Sequence, residues 1–523
     1  MIVTQVGELQ EPKCDSRHTA TLISGRWRSS EIESITPPDK ENRIMFMRMI
    51  YDEKLAQAAY LIGCQATGEA IIIDPERDID RYIELAADND LRIVAAAETH
   101  IHADFVSGAR EIAERIDAKV YVSDEGDANW KYQWLDQKTG GGSYAHKLLK
   151  DGDSFRIGNI EFNVLHTPGH TPEHICFLVT DHGADATEPI GMLTGDFVFV
   201  GDLGRPDLLE SAAGQKGAME PSARRLFNTV SKLDSIPDFV QVWPAHGAGS
   251  ACGKALGAVP MSTIGYERRF NPAIGAATNE QGFIDFILSG QPEPPLYFAN
   301  MKRDNKAGPP VLGGIPNPPR VDIKTISELN PKEAAILDIR DWDSFRTGHI
   351  PGSLSFPIRN SFPTDVGSMV KDTDDIYLLI NEHDIDEVVR DLIRIGLDRI
   401  KGWCPSDAIK SNAEIALDTI EEIDAQEAAT FIDRNKARVL DVRRATEYAE
   451  GHIDGATNIS HTRLAARMDD LPTPDPLLVH CRSGIRSARS CALLQRAGHE
   501  VINLRGGYLA WEEQIANHQH NAH

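Results

Sequence analysis

Between residues 45 and 255 the apolar residues come in short runs separated by turn formers, a pattern of strands with scattered helices. AYLIGC (59–64) and EAIIIDPE (69–76) predict two strands about a Thr-Gly turn, and LRIVAAAETH (91–100) a buried strand. SGAREIAERI (107–116) has the spacing of an amphipathic helix, with Ser107 as its candidate cap. KVYVSD (119–124), the stretch 155–170, HICFLVTD (174–181), GMLTGDFVFVGD (191–202) and DFVQVWPAHG (238–247) follow as strands and loops. Residues 256–320 are mixed: two helix-like stretches, then a Pro/Gly-rich segment, 291–320, that predicts a linker or a strap against a neighbour.

The remaining chain repeats itself. LDIRDWDSFRTGHIPGSLSFP (337–357) aligns without gaps on LDVRRATEYAEGHIDGATNIS (440–460), an offset of 103. DIYLLINEHD (375–384) then matches DPLLVHCRSG (475–484), and RIKGW (399–403) matches NLRGGY (503–508). The period is too long for a solenoid and implies two separate α/β domains of roughly 90 residues.

Length supports this division, since 523 residues at roughly 150 per domain make three or four domains. The formal net charge of −25 disfavours nucleic acid and anionic membranes as partners. A site for an anionic substrate must therefore be built from local cations, metal or backbone N–H groups. Seven cysteines without a Cys-x-x-Cys pair argue against a disulfide framework and fit a cytoplasmic location. No apolar run reaches the roughly 18 residues of a membrane span. Residues 1–44 lack the apolar core of a signal peptide and are expected to be a tail, as are 516–523.

Four predicted loops carry metal-binding residue types. THIHADF (99–105) holds His100, His102 and Asp104; LHTPGHTPEH (165–174) holds His170; TGD (194–196) holds Asp196; PAHG (244–247) holds His246. Each follows an apolar strand, so all four can converge on one edge of a sandwich. A lone loop histidine means little, but this ordered set predicts a metal site.

This set resembles the metallo-β-lactamase fold hydrolases over residues 45–255. The resemblance implies an αββα sandwich. Two-metal members of that family continue His-x-His-x-Asp with a further His, where this chain has Phe105. Phe offers no lone pair, so a second site would keep Asp104 and His246 at most, and a two-zinc hydrolytic centre is disfavoured. The pattern is most similar to the persulfide dioxygenases, which keep one iron in this fold. That resemblance implies His100, His170 and Asp196 as ligands to one Fe(II) per chain, with His102, Asp104, Phe105 and His246 around them orienting ligands and waters. GDLGRPD (201–207) resembles a family loop whose arginine holds the carboxylate end of the thiol carrier, which implies Arg205 as a substrate-binding residue. Ala248 stands where glutathione-type members have an aromatic residue, which leaves the carrier thiol open. Cys252 reads as a buried packing residue.

In LLVHCRSGIRSARSCALLQRAG (477–498) a strand ends at Cys481, a six-residue loop follows, and an apolar-spaced helix begins. Backbone N–H groups and the helix N-terminus would surround the sulfur and favour its thiolate, with Arg482 and Arg486 adding positive charge. With DVR (441–443) and RGGYLAW (505–511), this resembles the active loop of rhodanese-family sulfurtransferases. The resemblance implies Cys481 as the persulfide-forming nucleophile in a loop of Arg482, Ser483, Gly484, Ile485 and Arg486, within an active domain at 415–515. The first copy, 321–408, has NEHDID (381–386) at that place, with no thiol and three acids, and is expected to be inert.

The fold class expected is α/β: a metallo-β-lactamase sandwich followed by two rhodanese-like domains, joined through 256–320. The whole stretch 45–515 resembles bacterial persulfide dioxygenase-sulfurtransferase fusions. That implies a homo-oligomeric, sulfide-detoxifying enzyme whose partners are a small-molecule persulfide, O2 and sulfite or thiosulfate. A dinuclear thioester hydrolase of glyoxalase II type and a non-enzymatic persulfide carrier are the alternatives.

Overall fold

The structure is a computed structural model and describes residues 45–212, 214–411, 415–434, 437–473 and 476–521. The tail expected at 1–44 lies outside the described residues. The tail expected from 516 does not form as such, because a helix spans Gly507–Asn521.

Six strands, β1 (Met45–Asp52), β2 (Gln57–Cys64), β3 (Glu69–Ile73), β4 (Arg92–Ala97), β5 (Lys119–Ser123) and β6 (His146–Leu149), form one sheet in chain order. A second sheet uses β7 (Ser154–Ile157), β8 (Ile160–His166), β9 (Ile175–Asp181) and β10 (Gly191–Gly195). A small hairpin of β11 (Val198–Phe199) and β12 (Asp202–Leu203) follows, and β13 (Gln241–Pro244) and β14 (Ser262–Thr263) complete the sheet in the order β14-β13-β10-β9-β8-β7. Both faces of the first sheet are covered, so β2 is buried throughout instead of alternating. Its Tyr60 and Ile62 pack against Phe162, Phe177 and Trp243 of the second sheet. Ala59 and Leu61 face the other way, toward Tyr82 and Ile112 on helices Asp80–Ala87 and Ala109–Ile116. Helices Met219–Val230 and Glu280–Leu288 cover the second sheet through Leu226 and Phe283. The layers are therefore helix, sheet, sheet, helix.

The segment 291–320 is a strap, not a free linker. It contains helix Phe298–Ala307. Asn305 on that helix donates to the carbonyls of His102 and Phe105, at 2.9 and 2.7 Å, and accepts from the Ser107 N–H at 2.8 Å. Glu111 accepts from the N–H groups of Leu312 and Gly313. These contacts hold the loop that carries the His-x-His-x-Asp run.

The repeat appears as two parallel sheets of like order. In the first, β15 (Ala334–Asp338), β16 (Leu354–Ser355), β17 (Asp375–Leu379) and β18 (Ile400–Cys404) run β16-β15-β17-β18. In the second, β19 (Glu421–Ile423), β20 (Arg438–Asp441), β21 (Thr457–Asn458), β22 (Leu477–His480) and β23 (Val501–Leu504) run β19-β23-β22-β20-β21. Arg340 pairs with Asp338 and bonds the Gly348 carbonyl; Arg443 does the same with Asp441 and the Gly451 carbonyl, 103 positions on. The quoted repeat thus preserves an ion pair as well as a strand.

The middle unit docks on the sandwich through helix Ile385–Arg394. Arg394 reaches Asp52 and Glu76, at 2.6 and 3.2 Å, and Asp78 at 2.5 Å. Arg390 pairs with Asp80, and Lys54 of the sandwich pairs with Asp391 and Glu387. The Val106 N–H donates to the Arg394 carbonyl at 2.6 Å, next to the metal-type loop. Among the described residues no helix is long and apolar enough to cross a membrane.

Candidate metal centre and cysteine loop

The four loops singled out in the sequence meet at one edge of the sandwich. Strands β4, β8, β10 and β13 end at Ala97, His166, Gly195 and Pro244, and the polar residues follow directly. The ligand atoms of His100, His170 and Asp196 all lie within 4.8 Å of one another, and all three residues are buried. His170 Nε2 is 3.4 Å and His100 Nε2 3.9 Å from Asp196 Oδ2.

Hydrogen bonds behind the ring orient each imidazole. The Thr99 hydroxyl donates to Asp74 Oδ2 at 2.9 Å, so it can only accept from His100 Nδ1, also at 2.9 Å. His170 Nδ1 donates to the Arg205 carbonyl at 3.0 Å, and His246 Nδ1 to the Ala56 carbonyl at 3.1 Å. Each of the three rings therefore turns an Nε2 lone pair toward the centre. Burial and the neighbouring imidazoles push His100 well below its ordinary range, and burial pushes His170 down against the pull of Asp196. Neutral imidazole is the metal-binding form. His174 completes the frame: its Nε2 accepts from the Asp196 N–H at 2.9 Å. Gly195 sits at φ +51°, and a Cβ there would lie 2.6 Å from His174 Nε2, so this turn requires glycine.

Charge-bearing atoms at the centre have nothing to bond. The Nε2 atoms of His100 and His246 and both carboxylate oxygens of Asp104 and Asp196 are buried without a hydrogen-bond partner. Such a set is costly unless a cation joins it. The residues fit a metal ion, and the oxygen and imidazole donors suit iron or zinc.

Around this centre the structure sorts the other residues. His102 lies outside the His100–His170–Asp196 group: its Nε2 faces Asp74 Oδ1 at 3.1 Å. Burial disfavours charge on His102, but Asp74, Asp104 and Glu98 outweigh it and keep the ring protonated up to about 9. His246 Nε2 is 3.2 Å from Asp104 Oδ2 and 3.4 Å from Asp196 Oδ1. Phe105 is fully buried against the His102 ring and belongs to an apolar cluster with Cys252, Tyr297, Met301 and Val366. It therefore joins the sandwich to the middle unit as well as withholding a ligand.

Two expectations change. Arg205 is 1% exposed, with Nε and Nη2 on Asp207 at 2.8 and 2.6 Å and Nη1 on the Ala251 carbonyl at 2.9 Å. Its guanidinium ties two loops together and is buried among these partners. Its contribution is the backbone carbonyl that orients His170. Second, the neighbouring position keeps more than Asp104 and His246: Cys252 joins them, with ligand atoms again within 4.8 Å. Burial and the nearby Asp104 and Asp196 carboxylates push its thiol well above its ordinary range. Its place six residues past His246 was the only signal in the sequence.

At the second site β22 delivers Cys481 to the mouth of a loop that ends at helix Ile485–Arg496. The Gly484 N–H donates to the sulfur at 3.2 Å, and the Ser487 hydroxyl lies 3.6 Å away. Gly507, at φ +62°, lets the loop close: a Cβ would lie 2.4 Å from the Cys481 carbonyl, which instead accepts from the Tyr508 N–H at 2.7 Å. Ser483, Gly484 and Ile485 line a cavity of about 480 Å³ together with Arg359 and Arg346 of the middle unit. Arg482 is exposed. Arg486 is held bidentately by Glu447, at 2.6 and 2.7 Å. Burial would raise the Glu447 carboxyl, but Arg486 outweighs it and brings it down to about 2. Sequence reasoning missed Arg489, a buried cation one helical turn beyond Arg486. In the middle unit, Asn381 follows Ile380 where Cys481 follows His480, and the short turn Glu382–Asp384 replaces the sulfur loop.

Comparison with known proteins agrees with both halves. The metallo-beta-lactamase superfamily model matches residues 53–246, and the rhodanese-like domain model matches 424–514. A crystal structure of a metallo-beta-lactamase from Staphylococcus aureus subsp. aureus COL is 40% identical, with a TM-score of 0.62, covering 69% of this chain and 99% of its own. The mitochondrial persulfide dioxygenase ETHE1 of Bos taurus is 25% identical over 263 residues, 49% of this chain and 84% of its own length. The Homo sapiens protein of the same name is 25% identical over 238 residues, 45% and 78%. The chain belongs to the metallo-β-lactamase superfamily and carries a rhodanese-like domain toward its C-terminal end.

Proposed function

We propose that this protein is a bifunctional enzyme of sulfide detoxification, an iron persulfide dioxygenase joined to a rhodanese-type sulfurtransferase and working in the cytoplasm. The observation that carries the reading is the pairing, on one chain, of a buried His100–His170–Asp196 group with a Cys481 loop whose Gly484 N–H donates to the sulfur. Persulfide is the substance that both would handle. Persulfide dioxygenases among the relatives support the first half, and the rhodanese-like match supports the second.

His100, His170 and Asp196 would hold one iron(II), which when bound would supply open positions for a low-molecular-weight persulfide and O2 and the redox chemistry that turns sulfane sulfur into sulfite. The residues of the chain do the rest. Thr99, the Arg205 carbonyl and His174 fix the orientation of His100, His170 and Asp196. Phe105 and its apolar neighbours keep water out on the side of the middle unit. At Cys481 the thiolate attacks the outer sulfur of a second persulfide, forming a protein persulfide and releasing the carrier thiol. The Gly484 N–H and the helix N-terminus stabilise negative charge on that sulfur. Sulfite can then accept the sulfur and leave as thiosulfate. We read residues 321–408 as a rhodanese-like unit without a nucleophile.

Elemental analysis of the purified protein tests this first. About one iron per chain, lost in His170→Ala, is the expected result. A second reading has one observation in its favour: Asp104, His246 and Cys252 form a neighbouring three-residue group. A dinuclear thioester hydrolase would use it, and close to two zinc ions per chain would establish that reading over ours. No bound metal would leave a persulfide carrier working through Cys481 alone.

A further inference from the structure

The His-x-His-x-Asp loop is tied to its own sandwich at both ends. The Thr99 N–H donates to Asp74 at 2.7 Å, the Ile101 N–H to Glu173 at 2.8 Å, and the Gly108 N–H to the Pro75 carbonyl at 2.7 Å. Between those ends, four backbone groups find their partners outside the sandwich. Asn305 of the strap donates to the His102 and Phe105 carbonyls and accepts from the Ser107 N–H. The Val106 N–H donates to the Arg394 carbonyl of the middle unit. The helix that carries Asn305 is itself seated here, with Tyr297 just before it and Met301 within it packed in the cluster of Phe105.

Asp104 lies in the middle of this clamped stretch, and its side chain supplies no hold of its own. Both carboxylate oxygens are buried without a hydrogen-bond partner. His246 Nε2, 3.2 Å from Oδ2, cannot donate to it in the neutral ring, whose proton sits on Nδ1 against the Ala56 carbonyl. The same Nε2 lies 3.4 Å from Asp196 Oδ1, so the Asp104 carboxylate stands one ring atom away from the metal-type group. It stands where the loop backbone puts it. We infer that Asn305 is a positioning residue of the metal centre, which fixes the Asp104 carboxylate beside a bound cation by holding the loop on both sides of it. The inference rests on the metal-binding half of the function proposed above and adds to it a residue of the strap.

Asparagine suits this task and aspartate of the same shape does not. The amide offers two N–H donors and one acceptor oxygen, and the loop uses all three. Aspartate keeps the acceptor but turns its second oxygen toward two carbonyls. Asn305 is 1% exposed, so solvent does not supply the missing bonds. A carboxylate close to a cation holds it by attraction, and in a buried site that attraction depends steeply on where the carboxylate stands. Groups that orient a metal site from behind it typically change metal affinity by roughly 10- to 100-fold.

The test uses the full chain loaded with iron(II) in the absence of oxygen. It reads the rate at which iron passes to an excess of a chelator that colours on binding it, with metal-free melts of each chain to show that it is folded. Asp104→Asn and Asn305→Asp are each expected to release iron about 10-fold faster than the wild type. The chain with both substitutions should release it no faster than the faster single variant, because Asn305 acts through Asp104. Should the Asn305→Asp chain fail to fold, Asn305→Ala, which leaves room for water beside the carbonyls, takes its place. A wild-type rate in either single variant overturns the inference. So do single effects that multiply in the double variant, since Asn305 would then act on the fold apart from Asp104. A wild-type chain that holds no metal overturns the proposed function and this inference with it, whereas wild-type iron with an unaltered Asn305→Asp rate overturns this inference alone.

Discussion

A histidine at position 105 would place a polar ring in the apolar cluster of Tyr297, Met301 and Val366, where Phe105 now packs. Phe105→His should therefore lower stability by roughly 1–3 kcal/mol, read from denaturant unfolding, whatever it does to metal binding. Glu173 makes a different residue-scale prediction. Its carboxyl accepts from the Ile101 N–H at 2.8 Å and so supports the His-x-His-x-Asp loop. Burial raises it to about 7, against the pull of the Ile101 and Glu173 N–H groups. An acid whose folded value lies above its unfolded one binds the extra proton only when folded, so stability falls as pH rises from about 4.5 to about 7. Thermal melts across that window should show the decline in the wild type and a flatter profile in Glu173→Gln. The ligand types at this scale were legible in the sequence, because imidazole and carboxylate at a strand end are unusual. The surroundings of Arg205 were not: that its guanidinium is held by Asp207 and the Ala251 carbonyl depends on two loops meeting.

Two helices of the repeat show how one element takes opposite roles. Ile485–Arg496 begins at the sulfur loop and turns its N-terminus to Cys481. Its counterpart Ile385–Arg394 has no loop to serve and instead faces the sandwich with Arg390, Asp391 and Arg394. Removing the cation at its C-terminal end would leave the buried carboxylates of Asp52, Glu76 and Asp78 without that partner. Arg394→Ala is therefore expected to cost about 3–5 kcal/mol, measured by chemical denaturation of the full chain, more than an exposed ion pair could. The repeat itself was visible from the gapless alignment. The docking was not, since NEHDID shows only that a nucleophile is missing and says nothing of what the helix behind it touches. The strap 291–320 is similar. Its prolines and glycines announce irregular chain, but the hold of Asn305 on the His102 and Phe105 carbonyls is a matter of tertiary contact.

Across the whole molecule, the two centres use separate sets of functional side chains, so each should fail alone. Cys481→Ser should abolish sulfur transfer while oxygen uptake with persulfide continues and sulfite accumulates in place of thiosulfate. His170→Ala should do the reverse, losing metal and oxygen uptake but keeping transfer from thiosulfate. Parallel oxygen-electrode and thiosulfate assays of the two variants check both halves. Loss of both activities in either variant would show that the centres are coupled through the fold.

By itself the sequence marked out the candidate chemical groups. A metal site and a thiol loop need particular residue types at particular turns, and the histidine- and carboxylate-bearing loops and CRSGIR show those types locally. It likewise marked out buried strands, because burial on two faces imposes continuous apolar runs, while their layered order was implied only by the family resemblance. Tertiary structure alone decided what surrounds each group. It brought Cys252 to Asp104 and His246, set the Arg205 guanidinium on the Ala251 carbonyl, and set Asp365 of one unit against Arg489 of another. The physical reason is separation along the chain: each of these pairings depends on how loops, sheets and docked units bring buried charges within a few ångströms. No local pattern encodes that distance.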